Sequence, residues 1–257
     1  MTRDERVVLV TGAGSGIGAR AVQRLRAAGA DVVATDVDPT GLTPYADDPG
    51  VLSVVGDISA DGVAESLVEQ AVGRHGRLDT VIHCAGIMPG GRVRDVDTAT
   101  VTRVMQVNYT GTVRVVEAVL PHMRARRSGQ VVVLGSMVGF VPSQRFAAYS
   151  ASKAAVNSYV EILAREERGS GVHVMLVAPS AVKTPLLAQA TGGPTLVARL
   201  DGSASSWLMT TPDAVLDQVD RGLARGRTLV QPGGRAGHLL RRLSPGAAWW
   251  LADRLDR

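Results

Sequence analysis

Cysteine occurs once in 257 residues, as Cys84. A single thiol excludes an intrachain disulfide framework and a multi-thiolate metal site, and it suits a reducing compartment, so a cytoplasmic setting is expected. Long apolar runs are also missing. The uncharged stretch from Gln130 to Gln144 falls short of the roughly 18 to 20 residues that span a bilayer, and Gly and Pro break it. The N-terminal segment Met1 to Arg6 mixes charges and lacks the apolar region of a secretory signal. No internal repeat is visible, and a mean hydropathy of +0.11 is too apolar for a disordered chain. Lysine is nearly absent as well: 26 of the 28 basic residues are Arg, leaving only Lys153 and Lys183.

The formal charge of +4 is unevenly placed. Residues 1–220 hold 20 Lys and Arg against 22 Asp and Glu, whereas residues 221–257 hold 8 Arg against Asp253 and Asp256. A slightly acidic body of −2 therefore carries a tail of +6, and the charge says little about the body's chemistry.

What the body does contain is β-branched runs alternating with helix-like segments. Strands are predicted over Arg6–Val10, Asp31–Thr35, Val51–Val55, Asp79–Cys84, Gln130–Leu134, Val172–Val177 and Arg227–Val230. Most are continuously apolar, as strands buried on both faces are. Helices are predicted over Ile17–Ala28, Gly62–Gly73, Ala99–Met123 and Ala148–Arg168, long enough for right-handed crossovers. The expected fold is α/β: a Rossmann-type, doubly wound, seven-stranded parallel sheet with helices on both faces. Residues 1–235 would form the catalytic domain, with a substrate loop near 185–211, and 236–257 a basic amphipathic extension of it. Pro212 is a candidate start for the helix after the loop.

Thr11-Gly12-Ala13-Gly14-Ser15-Gly16-Ile17-Gly18 links the first strand to the first helix. Such glycines permit a tight turn and a close approach to a pyrophosphate, whose charge the helix N-terminus stabilises. A purely structural strand-to-helix turn would look similar. Asp36 ends the second strand, where a carboxylate can accept both hydroxyls of an adenosine ribose and repel a 2′-phosphate. This favours NAD(H) over NADP(H), although a strand-end Asp can also serve only a local turn.

The order of these motifs resembles the short-chain dehydrogenase/reductase family over roughly residues 5–186. Thr11 to Gly18 is similar to its TGxxxGxG loop, Asp57-Ile58 to its adenine-contacting pair, and His83-Cys84-Ala85-Gly86 stands where the family has NNAG. Pro179 to Thr184 is similar to the segment holding the nicotinamide carboxamide. The resemblance implies catalytic roles for Asn108, Ser136, Tyr149 and Lys153. It implies a cofactor site of Gly12, Ser15, Gly16, Ile17, Gly18, Asp36, Asp57, Ile58, Cys84, Ala85, Gly86, Tyr149, Lys153, Pro179, Val182 and Thr184. Two departures stand out: His83-Cys84 replaces two asparagines, and Ser180 replaces the glycine after the proline. A neutral His can partly reproduce the first asparagine's bracing of neighbouring strands, and Cys84 reads as a small packed thiol rather than a nucleophile.

Tyr149 and Lys153 are four residues apart, so one helix face presents both. A phenol has a pKa near 10, and a nearby ammonium together with an oxidised nicotinamide would favour its phenolate. By resemblance Ser136 holds the substrate oxygen, and Asn108 anchors a water that links Lys153 to solvent. The implied reaction is NAD(H)-dependent interconversion of an alcohol and its ketone, with Tyr149 exchanging the proton, the dinucleotide taking or giving the hydride, and no metal required. A non-catalytic NAD(H)-binding regulator of the same fold is the alternative.

Met88, Met137, Phe146, Leu186 and Trp207 are candidate substrate contacts and suggest a hydrophobic secondary alcohol or ketone. Arg92, Arg94 and Lys183 are alternatives for an anionic group. The family resemblance implies a homodimer or homotetramer. The tail sets Leu239, Leu240, Leu243, Trp249 and Trp250 beside Arg235, Arg241 and Arg242, divided at Pro245-Gly246. It can dock on its own domain, on a neighbouring subunit or peripherally on a membrane, and without a recognition motif nucleic acid is not expected.

Overall fold

The computed structural model describes residues 6–190, 192–193, 209–248 and 250. β1 (Val7–Thr11), β2 (Asp31–Asp36), β3 (Val51–Val55), β4 (Thr80–His83), β5 (Gly129–Leu134), β6 (Val172–Val177) and β7 (Leu229–Val230) form one parallel sheet. Its order is β3-β2-β1-β4-β5-β6-β7. Strand order, not strand direction, reverses between β1 and β4: the chain builds outward from β1 to β3 and then returns to add β4 on its other side, which opens a crevice at their carboxyl ends. The register aligns those ends: Thr11 lies opposite both Thr35 and His83.

The apolar runs are continuous because alternate residues feed different layers. Val7, Leu9, Val131, Val133, Val174 and Leu176 point into one core. Val8, Val10, Val132, Leu134, Met175 and Val177 point into the other. The first core is covered by α2 (Val63–His75), α4 (Gly111–Arg126) and α5 (Ala147–Glu166), and the second by α1 (Gly16–Ala28) and α6 (Pro212–Ala224). α1 and α6 are further joined at their solvent faces by Arg20–Asp213, Arg24–Asp217 and Arg24–Asp220. α6 starts at Pro212 as expected, capped by the Thr211 hydroxyl accepting the Ala214 N–H at 3.2 Å.

Several boundaries differ from the sequence reading. β1 runs one residue later, and β7 is two residues rather than four. β4 loses Asp79, whose carboxylate instead accepts the Val7 N–H at 3.0 Å and anchors the start of β1. The helix expected over Ala99–Met123 is built as α3 (Thr98–Met105), a π-turn (Gln106–Thr110) and α4. The turn reads Gln106-Val107-Asn108-Tyr109-Thr110, with neither Gly nor Pro inside it to mark the widened turn.

The start of the expected substrate loop is a 3-10 turn, Pro185–Gln189. Residues 191 and 194–208, with Trp207 among them, lie outside the described residues. In the tail, α7 (Arg235–Leu243) is followed by a second helical piece, 245–248, separated at Ser244. The imidazole of His238 stacks on Phe140 with ring centroids 4.2 Å apart, so α7 touches its own domain.

Candidate active site

A cleft of about 480 Å³ runs along the carboxyl ends of β1, β4 and β5, from Asp36 and Asp57 at one end to Phe146 and Leu187 at the other. At the first end, Gly12 (φ +65°) and Gly16 (φ +53°) occupy left-handed backbone. A Cβ on Gly12 would sit 2.8 Å from the Ala85 nitrogen, so the loop packs against β4's end only without one. Ser15 caps α1, yet its hydroxyl makes no capping bond, and the first turn of α1 contains no acidic residue. Free amides, the positive helix end and an available hydroxyl together suit a phosphate group.

Asp36 accepts the Gly14 N–H at 2.8 Å on Oδ2 and the Asp38 N–H at 3.0 Å on Oδ1. It thus ties the glycine loop to β2 and keeps its carboxylate at the cleft edge. The next residue is the exposed, apolar Val37. Asp57 is held by Arg103 Nη2 at 2.8 Å and the Ser59 hydroxyl at 2.6 Å. Although burial opposes it, these donors bring the Asp57 carboxyl down to about 2.

The middle of the cleft gathers Ser136, Tyr149 and Lys153, all buried. Ser136 follows β5, and α5 carries the other two on one face. The phenol of Tyr149 is hydrogen-bonded to Ser136, but burial outweighs that bond and pushes the phenol up to about 12. In the protein alone, burial therefore favours the neutral phenol, against the lowering effect of Ser136. Lys153 donates to the Leu134 carbonyl at 2.8 Å, and its Nζ lies 6.0 Å from the Tyr149 ring centroid. Burial brings the ammonium down to about 8, leaving it mostly charged at neutral pH.

Asn108 is placed differently from the other candidates. It sits in the π-turn behind the cleft wall and does not line the cavity. Its Oδ1 accepts the Ile87 N–H at 2.8 Å, and its Nδ2 donates to the Ile87 carbonyl at 3.0 Å and to the Ser152 hydroxyl at 2.9 Å. That side chain braces the segment after β4 against α5. The other cofactor candidates named above all face the cleft. Cys84 does so as a half-buried thiol that burial pushes up to about 12, which keeps it protonated at neutral pH.

Met88, Phe146 and Tyr149 form an apolar cluster with Val138, Leu186 and Leu187 packed against it. Met137 and Leu186 also face the cleft. Three contributors were not foreseen. Gln189 lines the cleft and accepts the Met88 N–H at 3.1 Å, pinning the 3-10 turn to the segment after β4. Arg103 lines it through its pairing with Asp57. Asn157 holds the backbone of Ser136 from both sides: Oδ1 accepts its N–H at 3.4 Å and Nδ2 donates to its carbonyl at 3.0 Å. The spacing Tyr149, Lys153, Asn157 repeats every four residues, a signal present in the sequence.

Residues 6–193 match the model of the short chain dehydrogenase family. Dehydrogenase/reductase SDR family member 7B of Danio rerio is 31% identical over 227 residues, covering 84% of this chain and 71% of that protein. L-fucose dehydrogenase of Bos taurus is 34% identical over 199 residues, covering 76% and 73%. Among solved structures, a short chain dehydrogenase/reductase from Burkholderia phymatum in complex with NAD shares the fold. It has a TM-score of 0.84 at 23% identity, covering 98% of this chain and 97% of that one.

Proposed function

The chain belongs to the short-chain dehydrogenase/reductase family of oxidoreductases, and on that premise we propose that it interconverts a hydrophobic secondary alcohol and its ketone with NAD(H). The observation that carries this reading is the convergence of Ser136, Tyr149 and Lys153 at the centre of one cleft whose two ends differ in chemistry. One end suits a dinucleotide and the other an apolar substrate.

Gly12, Ser15 and Gly16 with the first turn of α1 would hold the pyrophosphate, Asp36 the adenosine ribose, and Asp57 and Ile58 the adenine side. Pro179, Val182 and Thr184 would border the nicotinamide. When bound, the nicotinamide supplies the hydride donor or acceptor at its C4. Asp36 followed by Val37 supports NAD(H), since a carboxylate with an apolar neighbour offers a 2′-phosphate repulsion and no cationic partner.

Ser136 would hold the substrate oxygen beside the phenol of Tyr149. In alcohol oxidation Tyr149 accepts the hydroxyl proton, and in ketone reduction it returns it. The Lys153 ammonium stabilises the phenolate, and Asn108 and Asn157 fix the segments that carry these groups. The cluster of Met88, Phe146, Val138, Leu186 and Leu187 supports a mainly apolar substrate body.

A panel of hydrophobic secondary alcohols and ketones, assayed with NAD(H) and NADP(H), tests the proposal. The wild type is expected to turn over with NAD(H) preferred. Tyr149→Phe should lose about 100-fold or more in kcat while binding NADH with little change. Comparable turnover by Tyr149→Phe would overturn the assignment of Tyr149, and preferential use of NADPH would overturn the cofactor.

A further inference from the structure

His83 ends β4 behind the cleft, is 2% exposed and touches neither the cavity nor solvent. Its two ring nitrogens face hydroxyls on different elements: Nδ1 lies 2.8 Å from Thr11 Oγ1 at the end of β1, and Nε2 lies 3.0 Å from Thr112 Oγ1 on α4. The remaining partners decide which way each hydrogen points. Thr112 Oγ1 is 2.6 Å from the backbone carbonyl of Asn108, which can only accept. The Thr112 hydrogen is therefore committed there, and Thr112 Oγ1 must accept from His83 Nε2–H. Thr11 Oγ1 accepts the Ala85 N–H at 3.3 Å and is free to donate to His83 Nδ1. The chain of bonds has one consistent direction: Ala85 N–H to Thr11, Thr11 to His83, His83 to Thr112, and Thr112 to the Asn108 carbonyl.

Burial resists protonation of this imidazole, and the Lys153 ammonium acts in the same sense, bringing it down to about 3. A protonated ring would also present a second N–H where Thr11 donates. The neutral Nε2–H form is thus the one that satisfies every member of the chain.

The ends of the chain are informative. Thr11 immediately precedes the left-handed Gly12, and Ala85 is the residue against which Gly12 packs. Asn108 lies in the π-turn, and its side chain braces Ile87 and Ser152, the latter one residue before Lys153. We propose that His83 is a positioning residue whose fixed imidazole joins the glycine loop to the π-turn, so that the dinucleotide end and the proton-handling end of the cleft are held in one geometry. The inference rests on the oxidoreductase reading for its effect on turnover and on the hydrogen-bond chain alone for the state of the ring.

Substitutions separate this role from mere packing. Asparagine offers an acceptor and a donor in the same order as the neutral imidazole, whereas leucine offers neither. His83→Leu should lower kcat at saturating substrates by about 10-fold or more, because a small displacement at the reacting centre is costly. His83→Asn should recover to within about threefold of the wild type. Thr112→Val cuts the chain one link later and should reproduce the leucine defect, and the double variant His83→Leu/Thr112→Val should be no worse than His83→Leu alone.

The decisive experiment is ¹⁵N NMR of the histidine rings in the NADH complex, with His83→Asn used to assign the His83 signals. Expected is a single Nε2–H tautomer unchanged from pH 5 to 8. A ring that titrates in that range, or that carries its proton on Nδ1, would overturn the inference, as would multiplying losses in the double variant. If His83→Leu does not fold, Thr112→Val, His83→Asn and the ring spectrum still decide. Absence of turnover in the wild type would count against the oxidoreductase reading and leave the ring signature as it is.

Discussion

Tyr149 by itself is a poor base, and that fixes the sign of the pH dependence. Burial holds the phenol at about 12, so near neutrality it is a proton donor, the form required for ketone reduction. Alcohol oxidation needs the phenolate and so should accelerate as pH rises from 7 to 10, while ketone reduction slows. In the proposed mechanism the Lys153 ammonium favours the phenolate, so Lys153→Ala should move the oxidation profile to higher pH. Initial rates in both directions across that range check this, and a profile unmoved by Lys153→Ala would remove its electrostatic role. At this scale the sequence was legible where residue type and spacing carry chemistry, as with Tyr149 and Lys153. It was less so for Asn157 and Gln189, because an amide's role depends on which backbone groups the fold places within about 3 Å of it.

At the scale of elements, the buried strands were legible because each contributes to two cores at once and so reads as an unbroken apolar run. Their ends were less so: Asp79 serves β1 as a side-chain acceptor rather than continuing β4. The π-turn was hidden because neither Gly nor Pro falls within residues 106–110. The glycine loop gives the element-scale prediction. Gly16 has φ +53°, and a Cβ there would lie 3.1 Å from the Thr184 side chain on the opposite cleft wall. Gly16→Ala therefore strains the backbone and crowds the end of the cleft proposed for the pyrophosphate, and should raise the NADH dissociation constant by about 10-fold or more while lowering Tm by only a few degrees. Calorimetric titration together with a melting curve measures both, and unchanged NADH affinity would place the dinucleotide elsewhere.

Over the whole molecule, the formal charge is unevenly placed, −2 over residues 1–220 and +6 over residues 221–257. The cleft lies in the acidic body; among the described residues none of the tail lines it, and α7 meets the body through the His238–Phe140 stack. Phe140 follows the short turn Met137–Gly139, which begins at Ser136, and Gln231 Nε2 reaches Met137 Sδ at 3.7 Å. The start of the tail is thereby packed behind the segment that carries the site's serine, a relation that no motif in the sequence signals because it joins residues nearly a hundred positions apart. Among the described residues no helix is long and apolar enough to cross a membrane. Direct hydride transfer between substrate carbon and nicotinamide is the centre of the proposed function. A secondary alcohol deuterated at its carbinol carbon, turned over with NAD, tests it by NMR of the product dinucleotide. Deuterium at C4 of the reduced nicotinamide, with transfer slowed about 100-fold or more by Tyr149→Phe, is the predicted result, and ketone formation without label at C4 would contradict it.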